Sequence, residues 1–213
     1  MKITLYYAPL ACSLVPYVAL TEAGAEFEVC VVNFMQGMHM SAEYLRLNPK
    51  HKVPVLLVDG ETLTENVAIL QWIANEFPGA ELLPTSGLAR FQAVSFLSWC
   101  ASGIHPHLTP NVLPQRYCDL PGSEASVRRC AHRMLIENFQ IAEQMLRGRD
   151  WFFERFTLAD AYFFWCFRRA TQFEVAIDTL GNCQVHFNRM SERASVRRLL
   201  AFEAATLAAQ KAS

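Results

Sequence analysis

Residues 1 to about 78 alternate strand-like and helix-like patterns, and beyond that point the strand patterns largely vanish. Ile3–Tyr7 is a short β run. Residues 13–23 follow a helical period closed by Gly24, a usual helix stop, and Pro16 falls in the first turn, where proline is tolerated. Residues 27–32 are β-rich. Ser41 suits the cap of a helix over 42–47 that Asn48-Pro49 stops. Residues 55–58, the tight turn Asp59-Gly60 and residues 61–63 predict a hairpin. Val67, Leu70, Ile73, Ala74 and Phe77 recur at helical spacing, which predicts an amphipathic helix over 66–77. The order is β-α-β-α-β-β-α.

Pro78-Gly79 ends that helix, and residues 79–87, with Pro84, Thr85 and Ser86, predict a linker. Helical patterns then cover 88–104, 124–147, 158–171 and 196–209. The expected architecture is an α/β domain over 1–78, a linker over 79–87 and an all-α domain over 88–213. A chain of 213 residues with 52% hydrophobic and 18% charged content can bury two such cores.

A net charge of −1 and only isolated arginine pairs, such as Arg128-Arg129, imply no nucleic-acid or anionic-membrane partner. The apolar runs are too short to span a bilayer. Met1-Lys2-Ile3 runs straight into a strand and helix, so it reads as a first strand and not as a secretion signal. The seven cysteines are odd in number and lack metal-type spacing, which suits reduced thiols in the cytoplasm and no metal.

Three positions carry chemistry. Cys12 follows the turn Ala8-Pro9-Leu10-Ala11 and precedes the first helix, with Ser13 beside it. A helix start favours an anion, so a thiol there can be lowered toward neutrality and become reactive. A free cysteine is also among the most buried residue types, and position alone does not choose between these readings. Val53-Pro54 opens the third strand, as a cis bond that turns Val53 outward or as an ordinary trans proline at a strand's first residue. Glu65-Asn66 stands at a strand–helix junction, where it can receive an α-amino acid end or simply cap the helix. Thr157 with Asp160 resembles a capping box, a folding signal with no catalytic role.

Together these stretches resemble the glutathione transferases, and among them the bacterial beta class. The matching runs are Tyr6 to Leu14, Asn48 to Leu56, Leu63 to Ile69, and Gly148-Arg149-Asp150-Trp151 through Tyr162. The resemblance implies a thioredoxin-like N-terminal domain, a helical C-terminal domain, a homodimer, and glutathione as cosubstrate. It implies that Lys52, Val53, Pro54, Glu65 and Asn66 bind glutathione, with Pro54 cis, and that Cys12, Ser13 and His105 act at its sulfur. An apolar electrophile or a disulfide would sit between the domains, with Tyr7, Leu10, Met35, Tyr162, Trp165 and Arg169 as candidate walls. Three features depart from the family. Asn66 stands where serine is common. The loop Asn33–Met40 lacks the lysine that meets the glycyl carboxylate, for which His39, Lys50 or Lys52 could substitute. Pro106 follows His105 where a basic residue is common.

Cys12 has Val15 where a resolving cysteine would stand, so a mixed disulfide there needs a second thiol such as glutathione. Two chemistries follow: glutathione-dependent disulfide transfer through Cys12, or conjugation by a glutathione thiolate with Ser13 as the better donor and Cys12 assisting. A non-catalytic binding or scaffold module is the alternative on the same fold.

Overall fold

The computed structural model describes residues 1–212. In chain order the elements are β1 (Ile3–Tyr7), α1 (Leu14–Glu22), β2 (Glu28–Val31), α2 (Ala42–Leu47), β3 (Val55–Val58), β4 (Glu61–Thr64), α3 (Asn66–Glu76), α4 (Gly87–Trp99), α5 (His105–Leu108), α6 (Glu124–Met145), α7 (Leu158–Gln172), α8 (Gly181–Glu192) and α9 (Ala194–Ala212). Short 3₁₀ turns and one π-helical turn, Cys100–Ile104, join them. The residues form two compact units: Met1–Ser86 with the segment from Glu192 onward, and Gly87–Ser191.

The first unit is a four-stranded sheet in the order β2-β1-β3-β4. β1 runs parallel to β2, with Leu5 opposite Val29. It runs antiparallel to β3, with Leu5 opposite Leu56, and β3 pairs antiparallel with β4. Ile3, Leu5 and Tyr7 are the buried members of β1, the alternation a half-covered strand requires. The run Leu14–Leu20 of α1 is buried throughout, because apolar residues occupy every side of that helix. The Ser41 hydroxyl accepts the Tyr44 N–H at 3.1 Å, as the cap reading expects. This is a thioredoxin-like sheet with its helices.

α9 packs against α1, so the last helix belongs by packing to the sheet unit, whereas the sequence placed residues 88–213 together. Arg193 at its start clamps Glu22 at the end of α1 through Nε at 2.9 Å and Nη2 at 2.7 Å, and the Ser195 hydroxyl donates to the same carboxylate. Phe202 stacks on Tyr17 with ring centroids 5.4 Å apart.

The second unit is helical. The sequence predicted one helix over 88–104; α4 instead stops at Trp99 and a π turn carries the chain to His105. Gly103 permits this, since a Cβ there would meet Trp99 Cδ1 at 2.6 Å, and Trp99 Nε1 donates to Asn138 on α6 at 2.7 Å. Thr157 and Asp160 form the expected capping box at the start of α7. Asp160 Oδ2 accepts the Thr157 N–H at 2.8 Å, and Oδ1 accepts the Phe152 N–H at 3.1 Å and lies 3.0 Å from His186 Nε2. One buried carboxylate thus ties the helix start to the preceding loop and to α8.

Candidate active site

β1 delivers the chain into the turn Ala8–Ala11, and Cys12 follows it immediately before α1. Leu10 in that turn is left-handed, with φ 63°. A leucine there costs on the order of 1–2 kcal/mol, so something must hold it. Glu203 of α9 does: its Oε2 accepts the Leu10 N–H at 2.7 Å and the Tyr7 hydroxyl at 3.2 Å. Glu203 is buried and lies 191 residues from Cys12 in sequence, among alanine and phenylalanine; no local pattern marks it.

Cys12 is only 8% exposed, and its Sγ–H donates to the Val53 carbonyl at 3.5 Å. Burial pushes its pKa up to about 12, with Glu65 adding to the rise and Lys52 opposing it. Desolvation therefore outweighs the helix start, and in the unliganded protein Cys12 is a neutral thiol, not the lowered one that position alone suggests. Ser13 is wholly buried: its hydroxyl donates to the Ala8 carbonyl at 3.2 Å and accepts the Ala8 N–H at 3.0 Å. This hydroxyl closes the turn beside Cys12.

The Val53-Pro54 peptide bond is cis, as the resemblance implied. The Lys52 carbonyl before it accepts the Tyr44 hydroxyl at 2.8 Å and Asn48 Nδ2 at 2.7 Å, so the Asn48-Pro49 stop also anchors this segment. The Lys52 side chain is exposed and close enough to Cys12 to lower its pKa.

Glu65 has φ 72° and hands the chain into α3. Its exposed carboxylate pairs with Lys50 Nζ at 2.5 Å, and the same ammonium donates to Thr64 Oγ1 at 2.8 Å. Asn66 is 6% exposed; its Nδ2 donates to the Cys12 carbonyl at 3.1 Å, while its Oδ1 is buried with no hydrogen-bond partner. An unpaired buried acceptor is rare and marks a place for a donor. The longer asparagine thus does two things: it ties α3 to the Cys12 turn and holds out a carbonyl oxygen.

The candidate walls divide. Tyr7 is fully buried beside Tyr17, Phe202 and Glu203, so it is core and not a pocket wall, which corrects the expectation. Leu10 belongs to the turn Glu203 holds. Met35 is 95% exposed on the loop after β2. In the helical unit, His105 Nδ1 lies 3.2 Å from the Tyr162 hydroxyl, and its ring stands edge-on to Trp165 with centroids 4.5 Å apart. Tyr162 and Trp165 are buried around it, and the Arg169 guanidinium lies 4.3 Å from the Phe173 ring centroid and bonds Gln172. The first unit therefore assembles Cys12, Lys52, Val53, Glu65 and Asn66, and the second assembles His105, Tyr162 and Trp165. Among the described residues no group of three or more His, Cys, Asp or Glu side chains is placed to hold a metal ion. None of the described helices is long and apolar enough to cross a membrane.

A thiol on the turn after the first strand, a cis-proline segment beside it and a helix start closing the third side define a thiol site on a thioredoxin-like sheet. The family model for the glutathione S-transferase N-terminal domain matches residues 1–75. Glutathione S-transferase GstA of Escherichia coli O157:H7 is 33% identical over 93% of this chain and 98% of its own. The chain belongs to the glutathione S-transferase family. Among solved structures, the bacterial beta class glutathione S-transferase of Sphingomonas chungbukensis is similar at 31% identity and TM-score 0.84, over 94% of this chain and 98% of that one. A glutathione transferase homolog from Sulfitobacter with bound glutathione is similar at 25% identity and TM-score 0.87, over 94% and 97%.

Proposed function

We propose that this enzyme binds glutathione against Val53, Asn66 and Lys52, and that Cys12 donates its S–H to the glutathione sulfur held as a thiolate, which attacks a small apolar electrophile. The observation that carries this reading is the buried, neutral Cys12 thiol, already acting as a donor toward a carbonyl. Burial pushes the Cys12 pKa well above neutrality, so the thiol form dominates at pH 7. Such a group is a poor nucleophile and a ready donor. Lowering the pKa of the bound glutathione thiol by one unit is worth about 1.4 kcal/mol.

The remaining groups suit the tripeptide. The unpaired Asn66 Oδ1 accepts the γ-glutamyl ammonium, with the Glu65 carboxylate beside it. Lys50 is spent on Glu65, which leaves Lys52 as the cation for the glycyl carboxylate. Val53 supplies backbone groups for the cysteinyl residue. In the helical unit, Tyr162 and Trp165 hold His105 in place. A homodimer in the cytoplasm completes the reading. Disulfide transfer through a Cys12 mixed disulfide is the second chemistry of the same site, and the absence of a partner at Val15 makes it dependent on a second glutathione.

Substitution at Cys12 separates these. Cys12→Ser keeps a donor and retains most conjugation of a chromogenic electrophile. Cys12→Ala loses roughly 10–100-fold in kcat/KM, the worth of one hydrogen bond to a charged group. The thiolate absorbance of bound glutathione titrates at higher pH in Cys12→Ala. A Cys12→Ser variant that cannot conjugate, or rapid glutathionylation of Cys12 by glutathione disulfide at neutral pH, refutes the donor role. Failure to be retained on immobilised glutathione removes the enzyme reading in favour of a non-catalytic module.

A further inference from the structure

The loop between β2 and α2 carries a chemistry that the glutathione site leaves unused. Residues 34–40 read Phe-Met-Gln-Gly-Met-His-Met, and residues 33–42 contain no acidic, lysine or arginine side chain. Met35, Met38 and Met40 are 95%, 40% and 56% exposed. Three methionines held in solvent within six residues are not core packing, the ordinary use of this side chain.

The backbone is folded tightly under them. Asn33 Oδ1 accepts the N–H groups of Met35 and Gln36 at 3.0 and 3.3 Å, and the Asn33 carbonyl accepts the Met38 N–H at 3.1 Å. Gly37, with φ 68°, turns the chain into the 3₁₀ turn Met38–Met40. A single compact turn therefore carries all three exposed methionines. Met38 Sδ is directed back to the loop, where it accepts the Asn33 N–H at 3.3 Å through one of its two lone pairs. The His39 ring stands edge-on to Phe34 with centroids 4.7 Å apart, and its Nδ1 is buried without a hydrogen-bond partner. A buried imidazole nitrogen lacking a donor or acceptor partner, in the same turn as three methionines, is a second and independent sign of a missing ligand.

Thioethers and imidazole are soft or borderline donors. They give little to Mg²⁺ or Ca²⁺, which take oxygen ligands, and they select Cu(I) among biological metals. We propose that this loop binds one Cu(I) ion through Met35, Met38 and Met40, with His39 as the fourth donor. No redox step is involved; the ion enters and leaves as Cu(I), and a neutral ligand set leaves its single positive charge intact. The proposal rests on the side chains of this loop and not on the chemistry of Cys12.

The test uses the full-length protein labelled with ¹³C at methionine methyls, without glutathione, after alkylation of accessible thiols. Ag(I) serves as the redox-stable probe, followed by Cu(I) under anaerobic conditions. Of the seven methionine signals, those of Met35, Met38 and Met40, assigned by single Met→Leu variants, shift and saturate together at one equivalent, while the other four stay. Leucine conserves volume, so the variants fold. The Met38→Leu/Met40→Leu double variant and His39→Ala each lower affinity roughly tenfold or more in competition with a chromogenic Cu(I) chelator. Mg²⁺ moves no signal. Methyl signals of Met35, Met38 and Met40 that stay put in excess Ag(I), or all seven moving alike, overturn the proposal.

Discussion

Replacing Glu203 with alanine tests whether the last helix positions the reactive thiol. The change deletes the acceptor of the Leu10 N–H at 2.7 Å, in a partly buried setting, and of the Tyr7 hydroxyl at 3.2 Å, in a buried one. A hydrogen bond to a charged group contributes about 1.5–3 kcal/mol, and a buried donor left without that acceptor costs about 1–3 kcal/mol. Two such donors, less what relaxation recovers, place the loss at roughly 3–5 kcal/mol. Glu203→Gln keeps an amide oxygen for the Leu10 N–H and loses the charge, so its loss is smaller, roughly 1–2 kcal/mol. Without the carboxylate, Leu10 loses one of the contacts that hold φ 63°, and the turn carrying Cys12 relaxes. Urea unfolding measures the stability loss, and the rate of Cys12 alkylation, followed by peptide mapping, measures the exposure of the thiol. The expected result is a lower midpoint together with faster Cys12 modification, both stronger in the alanine variant. A Glu203→Ala protein that loses under about 0.5 kcal/mol and leaves Cys12 as protected as before refutes the reasoning.

Two further outcomes are expected. Asp160→Ala strips the carboxylate from Thr157, Phe152 and His186 at once and destabilises the helical unit by roughly 3–5 kcal/mol, read as loss of soluble protein or a lower urea midpoint; a near-neutral effect contradicts the structural role. For Glu22, burial raises the pKa, but hydrogen bonds from Arg193 and Ser195 outweigh it and hold the carboxyl below its usual value. A lowered folded pKa contributes stability that is complete above the unfolded value and is lost as pH falls through the folded one. Acid titration of stability therefore shows a limb below the ordinary carboxylate range that Glu22→Gln flattens; an unchanged limb refutes the assignment.

Most of the fold was legible because its signals are local. The strand Ile3–Tyr7, the Ser41 cap, the hairpin through Asp59-Gly60 and the Thr157–Asp160 box all stand where sequence patterns place them. Boundaries failed where packing intervened. The helix expected over 88–104 contains a π turn because Gly103 lets Trp99 close over the backbone. The last helix clusters with the sheet through Arg193, Ser195 and Phe202, contacts that no local period encodes.

The candidate site divides in the same way. Cys12, Val53-Pro54 and Glu65-Asn66 each had an ordinary reading in sequence, and only their order together, through the family resemblance it carries, singled them out. Their electrostatics were not readable. The helix start argues for an anionic Cys12, and only the depth of the thiol beneath the surface decides that it is protonated. Ser13, equally placed in sequence, turns inward to Ala8, and Tyr7, equally aromatic, turns inward to Glu203. The sequence by itself determined which residues lie near the thiol. Tertiary structure alone decided which of them are buried as neutral groups and which hold the turn, because desolvation and long-range hydrogen bonds depend on what the chain brings to the site from afar.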